Sequence, residues 1–246
     1  MSAIEVAGLV HGYGRGSERV EVVGGLDLRV EPGDFVSLVG PSGCGKSTLL
    51  HLLAGLAAPD GGTISVGGQA AYQPQRDALL PWRRALANAT LGAEIRGVPA
   101  TEARARAGAL FDRFGLSGFE TSWPWQLSGG MRQRLALLRT FLTPADVLLL
   151  DEPFGALDAI TRRSFQQWLE GVWMQDRRTV VFVTHDVEEA LLLSDRVVVL
   201  SPRPACVVAE VPSPYVRPRA PELVTDRAFV SAKAELLTAL DHPPPH

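Results

Sequence analysis

The sequence predicts an α/β fold: a core built on a mostly parallel sheet that carries a phosphate-binding loop, an N-terminal antiparallel β lobe, and an inserted helical lobe. Three observations predict it. Gly40–Thr48 reads G-P-S-G-C-G-K-S-T between an apolar segment and a helix-forming one. Short apolar runs, Val147–Leu150 and Thr179–Val183, recur between helical stretches, as buried parallel strands do. Ile4 and Val6, then Val20, Val22, Leu26, Leu28 and Val30, alternate with charged residues at the period of a half-buried antiparallel strand.

Composition bounds the function. A chain of 246 residues is one domain or one domain with a lobe, and its 46% hydrophobic and 21% charged shares are those of a soluble globular protein. A net charge of −3 gives nucleic acid no electrostatic claim as a partner. Cys44 and Cys206 are too few for a disulfide framework, so a reduced, cytosolic chain is expected. No apolar run approaches the ~18 residues that span a bilayer, and no signal peptide opens the chain. A membrane role must then come through a partner.

In chain order, Gly12–Ser17 and Glu31–Asp34 read as turns of the β lobe and Thr63–Val66 as another of its strands. Tyr13 lies in the first turn, where an aromatic ring can stack on adenine. The apolar segment Asp34–Val39 leads into the glycine loop, and Leu49–Leu56 is helix-forming up to the Pro59-Asp-Gly-Gly62 turn. In this strand–loop–helix context the backbone N–H groups freed by Gly40, Gly43 and Gly45 point at phosphate oxygens. The helix N-terminus adds its positive end. Lys46 would reach the β- and γ-phosphates, and the Ser47 hydroxyl would ligate Mg²⁺.

Residues 77–127 shift to Ala, Arg and Leu, an inserted helical lobe. Thr101–Phe114 is predicted helical with Gly115 as its stop, and Trp82, Trp123 and Trp125 are expected to pack the lobe. Met131–Phe141 is a helix ended by Thr143-Pro144. Phe165, Trp168, Leu169, Val172 and Trp173 share one face of a helix starting near Asp158. Asp186 and Glu189 form a capping box for Val187–Leu193. Val197–Leu200 and Cys206–Val211 are further strands. A Pro/Arg-rich connector, Pro212–Pro221, leads to a helix at Phe229–Leu240, and the 242–246 tail is expected to be disordered. His11, His51, His242 and His246 carry no signal.

Four groups converge at the carboxyl ends of the strands. Lys46 and Ser47 hold phosphate and metal. Asp151 ends an apolar strand, the place that holds hydrated Mg²⁺ in phosphate-loop enzymes. Glu152 is placed to take a proton from an attacking water. His185 ends a neighbouring strand just before a helix N-terminus, whose dipole favours a neutral ring.

Two further stretches carry a resemblance. Leu127–Arg134 (L-S-G-G-M-R-Q-R) resembles the signature of ATP-binding cassette (ABC) ATPases, and Leu148–Asp158 (L-L-L-D-E-P-F-G-A-L-D) resembles their Walker B motif and D-loop. As in that family, the signature follows a helical lobe and precedes Walker B, and the likeness runs from about residue 3 to 210. It implies an ATPase using Mg²⁺, with Gly40, Pro41, Ser42, Gly43, Cys44, Gly45, Lys46, Ser47 and Thr48 as the Walker A loop. It also implies Tyr13 on adenine, Asp151 supporting Mg²⁺, Glu152 as general base and His185 sensing the γ-phosphate. Ser128, Gly129 and Gly130 would touch the ATP of a second subunit, with Asp158 linking the two sites of a head-to-tail homodimer.

Gln73 and Gln75 are both available for the family's metal-binding glutamine. Gln75 stands four residues before Leu79-Leu-Pro-Trp82, the family's usual spacing, and is chosen. That stretch, Phe154-Gly-Ala-Leu157 and Ser201-Pro-Arg-Pro204 resemble the importer branch serving nitrate, sulfonate, taurine and thiamine-precursor uptake. Gln73–Trp82 resembles its hydroxymethylpyrimidine (thiamine-precursor) members. The resemblance further implies a membrane permease docked near Gln75–Arg83, a periplasmic or extracellular solute-binding protein indirectly, and a peripheral place on the cytoplasmic face of the inner membrane. The family's usual His before the signature is Trp125 here, a departure that bears on lobe packing. The expected organisation is one ABC ATPase domain: 1–76 and 128–210 as core with β lobe, 77–127 as helical lobe, 211–246 as a C-terminal extension. The rival readings are a non-transport ABC ATPase, a small-molecule kinase, which would leave Leu127–Arg134 unexplained, and a docking or regulatory module, which complete Walker motifs argue against.

Overall fold

The computed structural model describes residues 3–14 and 16–241; the tail at 242–246, with His242 and His246, lies outside them. Two sheets form the frame. Strands β1 (Ile4–Tyr13), β2 (Val20–Val30) and β4 (Gly61–Val66) make an antiparallel sheet in the order β2-β1-β4. The second sheet has six strands: β3 (Phe35–Val39), β5 (Ala70–Gln73), β6 (Val147–Asp151), β7 (Thr179–Val183), β8 (Arg196–Leu200) and β9 (Val207–Pro212), in the order β5-β6-β7-β3-β8-β9. The first five are parallel, and β9 closes the edge antiparallel to β8.

The central strands read as unbroken apolar runs because both faces are covered. Along β6, Val147 and Leu149 face the β lobe while Leu148 and Leu150 face the helices. Along β7, Val181 and Val183 go one way, Val180 and Phe182 the other. Alternate side chains thus feed two separate cores. The edge strand β5 is unexpected: at four residues, with two alanines, it carries too weak a β pattern to stand out, and its pairing with β6 forms it.

Helices α1 (Lys46–Leu53), α2 (Ala85–Ile95), α3 (Ala100–Arg113), α4 (Gly129–Leu142), α5 (Ala159–Asp176), α6 (Val187–Leu193) and α7 (Arg227–Asp241) complete the chain. Helix α1 begins three residues earlier than the Leu49–Leu56 segment because the glycine loop feeds straight into it at Gly45. Asp158 caps α5, its carboxylate accepting from the N–H groups of Ile160 (3.1 Å) and Thr161 (3.0 Å). The predicted apolar face of α5 packs into the helical core, where Trp173 is buried and Trp168 lies 4.3 Å from Phe114 between ring centroids.

The lobe tryptophans depart from expectation. Trp82 is 71% and Trp125 65% exposed, and Trp125 stacks flat on Trp123 at 5.1 Å instead of entering a core. The lobe core is made from smaller residues, Ala85, Ala89, Ala103 and Ala107 with Phe111 and Phe114, which fill the space between α2, α3 and α4.

The Pro/Arg-rich connector is pinned to the core. Arg217 bonds Glu170 (3.2 Å) and Asp195 (3.1 Å), with its guanidinium 4.3 Å from the Trp173 ring centre. Arg219 donates to the carbonyls of Leu192 (3.0 Å) and Ser194 (2.6 Å) at the end of α6. Burial pushes the Arg219 guanidinium down to about 10, still charged at neutral pH. Among the described residues no helix is long and apolar enough to cross a membrane.

Candidate nucleotide site

A cavity of about 640 Å³ opens where the glycine loop meets the β lobe, lined by Tyr13, Ser42, Gly43, Gly45–Thr48, Gln75, Glu152 and Arg203 among others. The volume suits a nucleotide-sized ligand. The loop is shaped for close approach: Gly43 and Gly45 have φ of +75° and +130°, and a Cβ on Gly45 would lie 2.9 Å from a Val22 methyl. Lys46, largely buried, curls back so that Nζ donates to the carbonyls of Gly40 (2.8 Å) and Pro41 (3.0 Å). Cys44 is buried beneath the loop. Tyr13 is half exposed at the rim, its hydroxyl 3.4 Å from Thr48 Oγ1.

Asp151 ends β6 under the loop, 3% exposed. Burial raises its carboxyl above the usual range, partly offset by a hydrogen bond from Ser47. Tyr72 also donates to it (3.4 Å), and the Tyr72 hydroxyl meets His51 Nε2 at 3.0 Å. His51 and Tyr72 therefore belong to the site's support, which sequence reading missed. The available signal was that Ser47 and His51 stand four apart on α1, one face of one helix.

Glu152 takes a left-handed backbone, φ +45°, costly for a residue with a Cβ (about 1–3 kcal/mol). Its N–H bonds the Val183 carbonyl (2.9 Å) and its carbonyl accepts from Gly155 N–H (3.1 Å), which hold the turn. The strain aims the carboxylate into the cavity. Gln75 Nε2 donates to Glu152 Oε2 (3.1 Å), and His185 Nδ1 lies 3.3 Å from the same oxygen. Gln75, Glu152 and His185, from three separate loops, thus meet at one carboxylate. Gln73 is fully buried in β5, its amide unpartnered among the described residues, so only Gln75 reaches the cavity.

The oxygen donors of Ser47, Asp151 and Gln75 fit Mg²⁺, a hard cation that keeps water and phosphate oxygens.

The predicted capping box is half formed. Asp186 accepts from the N–H groups of Glu188 (2.9 Å) and Glu189 (3.1 Å), but Glu189 does not return the bond. The Asp186 N–H goes to Thr184 Oγ1 instead (3.0 Å). Glu189 turns inward, accepting from Thr184 Oγ1 (2.5 Å) and Gln166 Nε2 (2.8 Å), and so ties α5 to the loop carrying His185. Burial raises its carboxyl. Folding then favours its protonated form: the stability it contributes is complete below its ordinary value near 4.5 and is lost as pH rises through the raised value. Glu189→Gln keeps both bonds without the charge, because a hydroxyl both donates and accepts. It is expected to leave the melting temperature unchanged near pH 4 and to flatten its fall toward pH 8. Parallel wild-type and variant melting curves with pH would contradict this.

Ser128 caps α4, accepting from Met131 N–H (3.2 Å), with Gly129 exposed beside it. Neither they nor Gly130 line this chain's own cavity. Asp158 is likewise outside it.

Comparison with known proteins agrees with this architecture. Residues 23–155 match the ABC transporter family. The chain is 47% identical to the aliphatic sulfonates import ATP-binding protein SsuB 1 of Rhodococcus jostii, over 98% of this chain and 96% of that protein. It is 46% identical to the formylaminopyrimidine import ATP-binding protein ThiZ of Halalkalibacterium halodurans, over 78% of each. Its fold matches the ATP-binding cassette MJ0796, solved as a dimer in a post-hydrolysis state bound to ADP and Pi. The TM-score is 0.78 at 27% identity, covering 87% of this chain and all of that one. On this family match, this identity and this fold, the chain belongs to the ABC transporter family and is one of its ATP-hydrolysing cassettes.

Proposed function

We propose that the protein is the ATPase subunit of an importer, powering uptake of a small solute of the nitrate, sulfonate, taurine or thiamine-precursor class through a separate membrane permease. The convergence of Gln75 and His185 on the Glu152 carboxylate, beside the glycine loop, carries the catalytic part of this reading. The relatives named as sulfonate and formylaminopyrimidine import proteins favour an importer over a non-transport ATPase.

In this reading Tyr13 stacks on adenine, and the N–H groups of Gly40–Thr48 with Lys46 hold the phosphates. Ser47, Gln75 and Asp151 hold Mg²⁺, which when bound neutralises charge on the β- and γ-phosphates. Glu152 accepts the proton of the attacking water, positioned by its left-handed turn, while His185 donates or accepts at the γ-phosphate side. Ser128, Gly129 and Gly130 bind the ATP of a second copy in a head-to-tail homodimer, which explains why they stand apart from this chain's cavity. Asp158 couples the two sites. The division into core and β lobe (1–76 and 128–210), helical lobe (77–127) and C-terminal extension (211–246) follows the same reading.

The permease docks near Gln75–Arg83. Trp82 exposed at that stretch, with the stacked Trp123 and Trp125 and the Arg84 guanidinium 4.9 Å over Trp123, offers the aromatic and Arg anchors that interfaces favour. The subunit then sits peripherally on the cytoplasmic face of the inner membrane, with a solute-binding protein on the far side. Capture from native membranes with tagged Glu152→Gln chain, ATP and Mg²⁺ is expected to bring down a polytopic permease. Recovery of soluble partners alone would overturn the importer reading.

A further inference from the structure

Ser201-Pro-Arg-Pro204 forms the turn between β8 and β9, and the turn is fixed from both sides. Ser201, fully buried, accepts from Cys206 N–H (3.0 Å) and donates to the carbonyls of Pro202 (2.9 Å) and Pro204 (3.1 Å). Ala205 N–H bonds the Val22 carbonyl (2.8 Å) and Gly24 N–H the Ala205 carbonyl (3.1 Å), stitching the turn to β2. Pro204 packs so closely on Gly24 that a Cβ there would come within 2.8 Å of it. Val22, in turn, lies under Gly45 of the glycine loop.

This scaffold delivers one side chain to the nucleotide cavity, Arg203. Its Nε donates to the Gly43 carbonyl, and a Cβ on Gly43 would lie 3.1 Å from its Nη2, so the guanidinium covers the middle of the loop. Among the described residues lining the cavity, Lys46 and Arg203 are the cations, facing the carboxylates of Glu18 and Glu152. Lys46 Nζ is engaged by two carbonyls, whereas Arg203 forms no ion pair among the described residues and spends one of its five N–H donors on Gly43. A guanidinium with free N–H groups, held at a phosphate loop, is matched to phosphate oxygens.

We propose that Arg203 is an accessory nucleotide-binding residue, fixing the Gly43 peptide and adding a second cation to the polyphosphate of ATP. The proposal rests on the reading of this cavity as the ATP site. A surface arginine touching the loop by chance would not need a turn anchored to β2 and closed by a buried serine.

The test measures MgATP binding and the KM for MgATP in wild type, Arg203→Ala, Arg203→Lys, Arg203→Gln and Lys46→Ala, each at low and high salt. Arg203→Ala is expected to weaken binding and raise KM about tenfold, the size of one charge-assisted contact. The dependence of KM on salt should shrink, because a charge has left the site. Arg203→Lys should recover part of the loss. Arg203→Gln keeps an N–H for the Gly43 carbonyl without the charge, so it should remain weak at an unchanged melting temperature. Unchanged binding and KM in Arg203→Ala, or full recovery by Arg203→Gln, would overturn the proposal, the latter assigning a purely structural role. A wild type that does not bind MgATP, or a Lys46→Ala variant that binds it normally, would instead overturn the ATP-site reading beneath it.

Discussion

Glu152→Gln is expected to lower ATP turnover at least a hundredfold while leaving MgATP binding intact, since a positioned general base supplies about 10²–10⁴ in rate. The substitution is nearly isosteric. The new amide oxygen can still accept from Gln75 Nε2, now 3.1 Å from Glu152 Oε2, and the left-handed turn is held by backbone bonds to Val183 and Gly155 that the side chain does not make. What disappears is the capacity to take a proton from water. A stopped assay with radiolabelled ATP, run beside equilibrium binding, separates the two effects. Turnover within a few-fold of wild type would move the base elsewhere, and lost binding would mean that the change disturbed the loop instead of the chemistry.

The largest effect on stability is expected at Trp173. Its ring is 2% exposed, lies edge-on to Phe35 at 5.8 Å, and is flanked by the guanidinium groups of Arg217 (4.3 Å) and Arg177 (4.4 Å). Its Nε1 donates to the Arg178 carbonyl at 2.7 Å. Trp173→Ala removes a large buried ring and leaves a cavity among Phe35, Leu169 and Phe182, at about 3–5 kcal/mol. For a chain of this length each kcal/mol lowers the melting temperature by roughly 2–4 °C, so a fall of about 10 °C is expected by calorimetry. The loss also frees Arg217, which binds the C-terminal connector to Glu170 and Asp195, and protease cleavage within 211–226 should rise. Trp173→Phe keeps most of the packing and loses the hydrogen bond, a deficit nearer 1 kcal/mol. Equal melting temperatures for the alanine variant and wild type would contradict the core assignment.

The features read correctly from sequence share one property: their physics is local. A glycine loop needs its glycines in order, a buried parallel strand needs an apolar run, and the cap at Asp186 needs a short acceptor at the right step. What escaped depends on partners distant in sequence. Ala70–Gln73 becomes a strand only because β6 offers it a ladder. Glu189 passes over the cap beside it for Gln166, 23 residues away. Arg217 and Arg219 look like a charged linker until Glu170 and the end of α6 are brought to them. Trp82 and Trp125, expected to pack the helical lobe, lie on its surface, where hydrophobic residues are common and gain meaning only when clustered. Spacing in the sequence points to Gln75 over Gln73, and in the structure the edge strand buries Gln73 while the following loop carries Gln75 to Glu152.

In the proposed dimer each ATP site takes its phosphate loop from one chain and its signature from the other. Sedimentation of purified Glu152→Gln chain with and without MgATP tests it most directly. The monomer is expected to become a dimer holding two ATP molecules with MgATP, and to return to monomer when Ser128→Arg is added to block the signature. A chain that binds ATP yet stays monomeric, or a dimer indifferent to the change at Ser128, would contradict it.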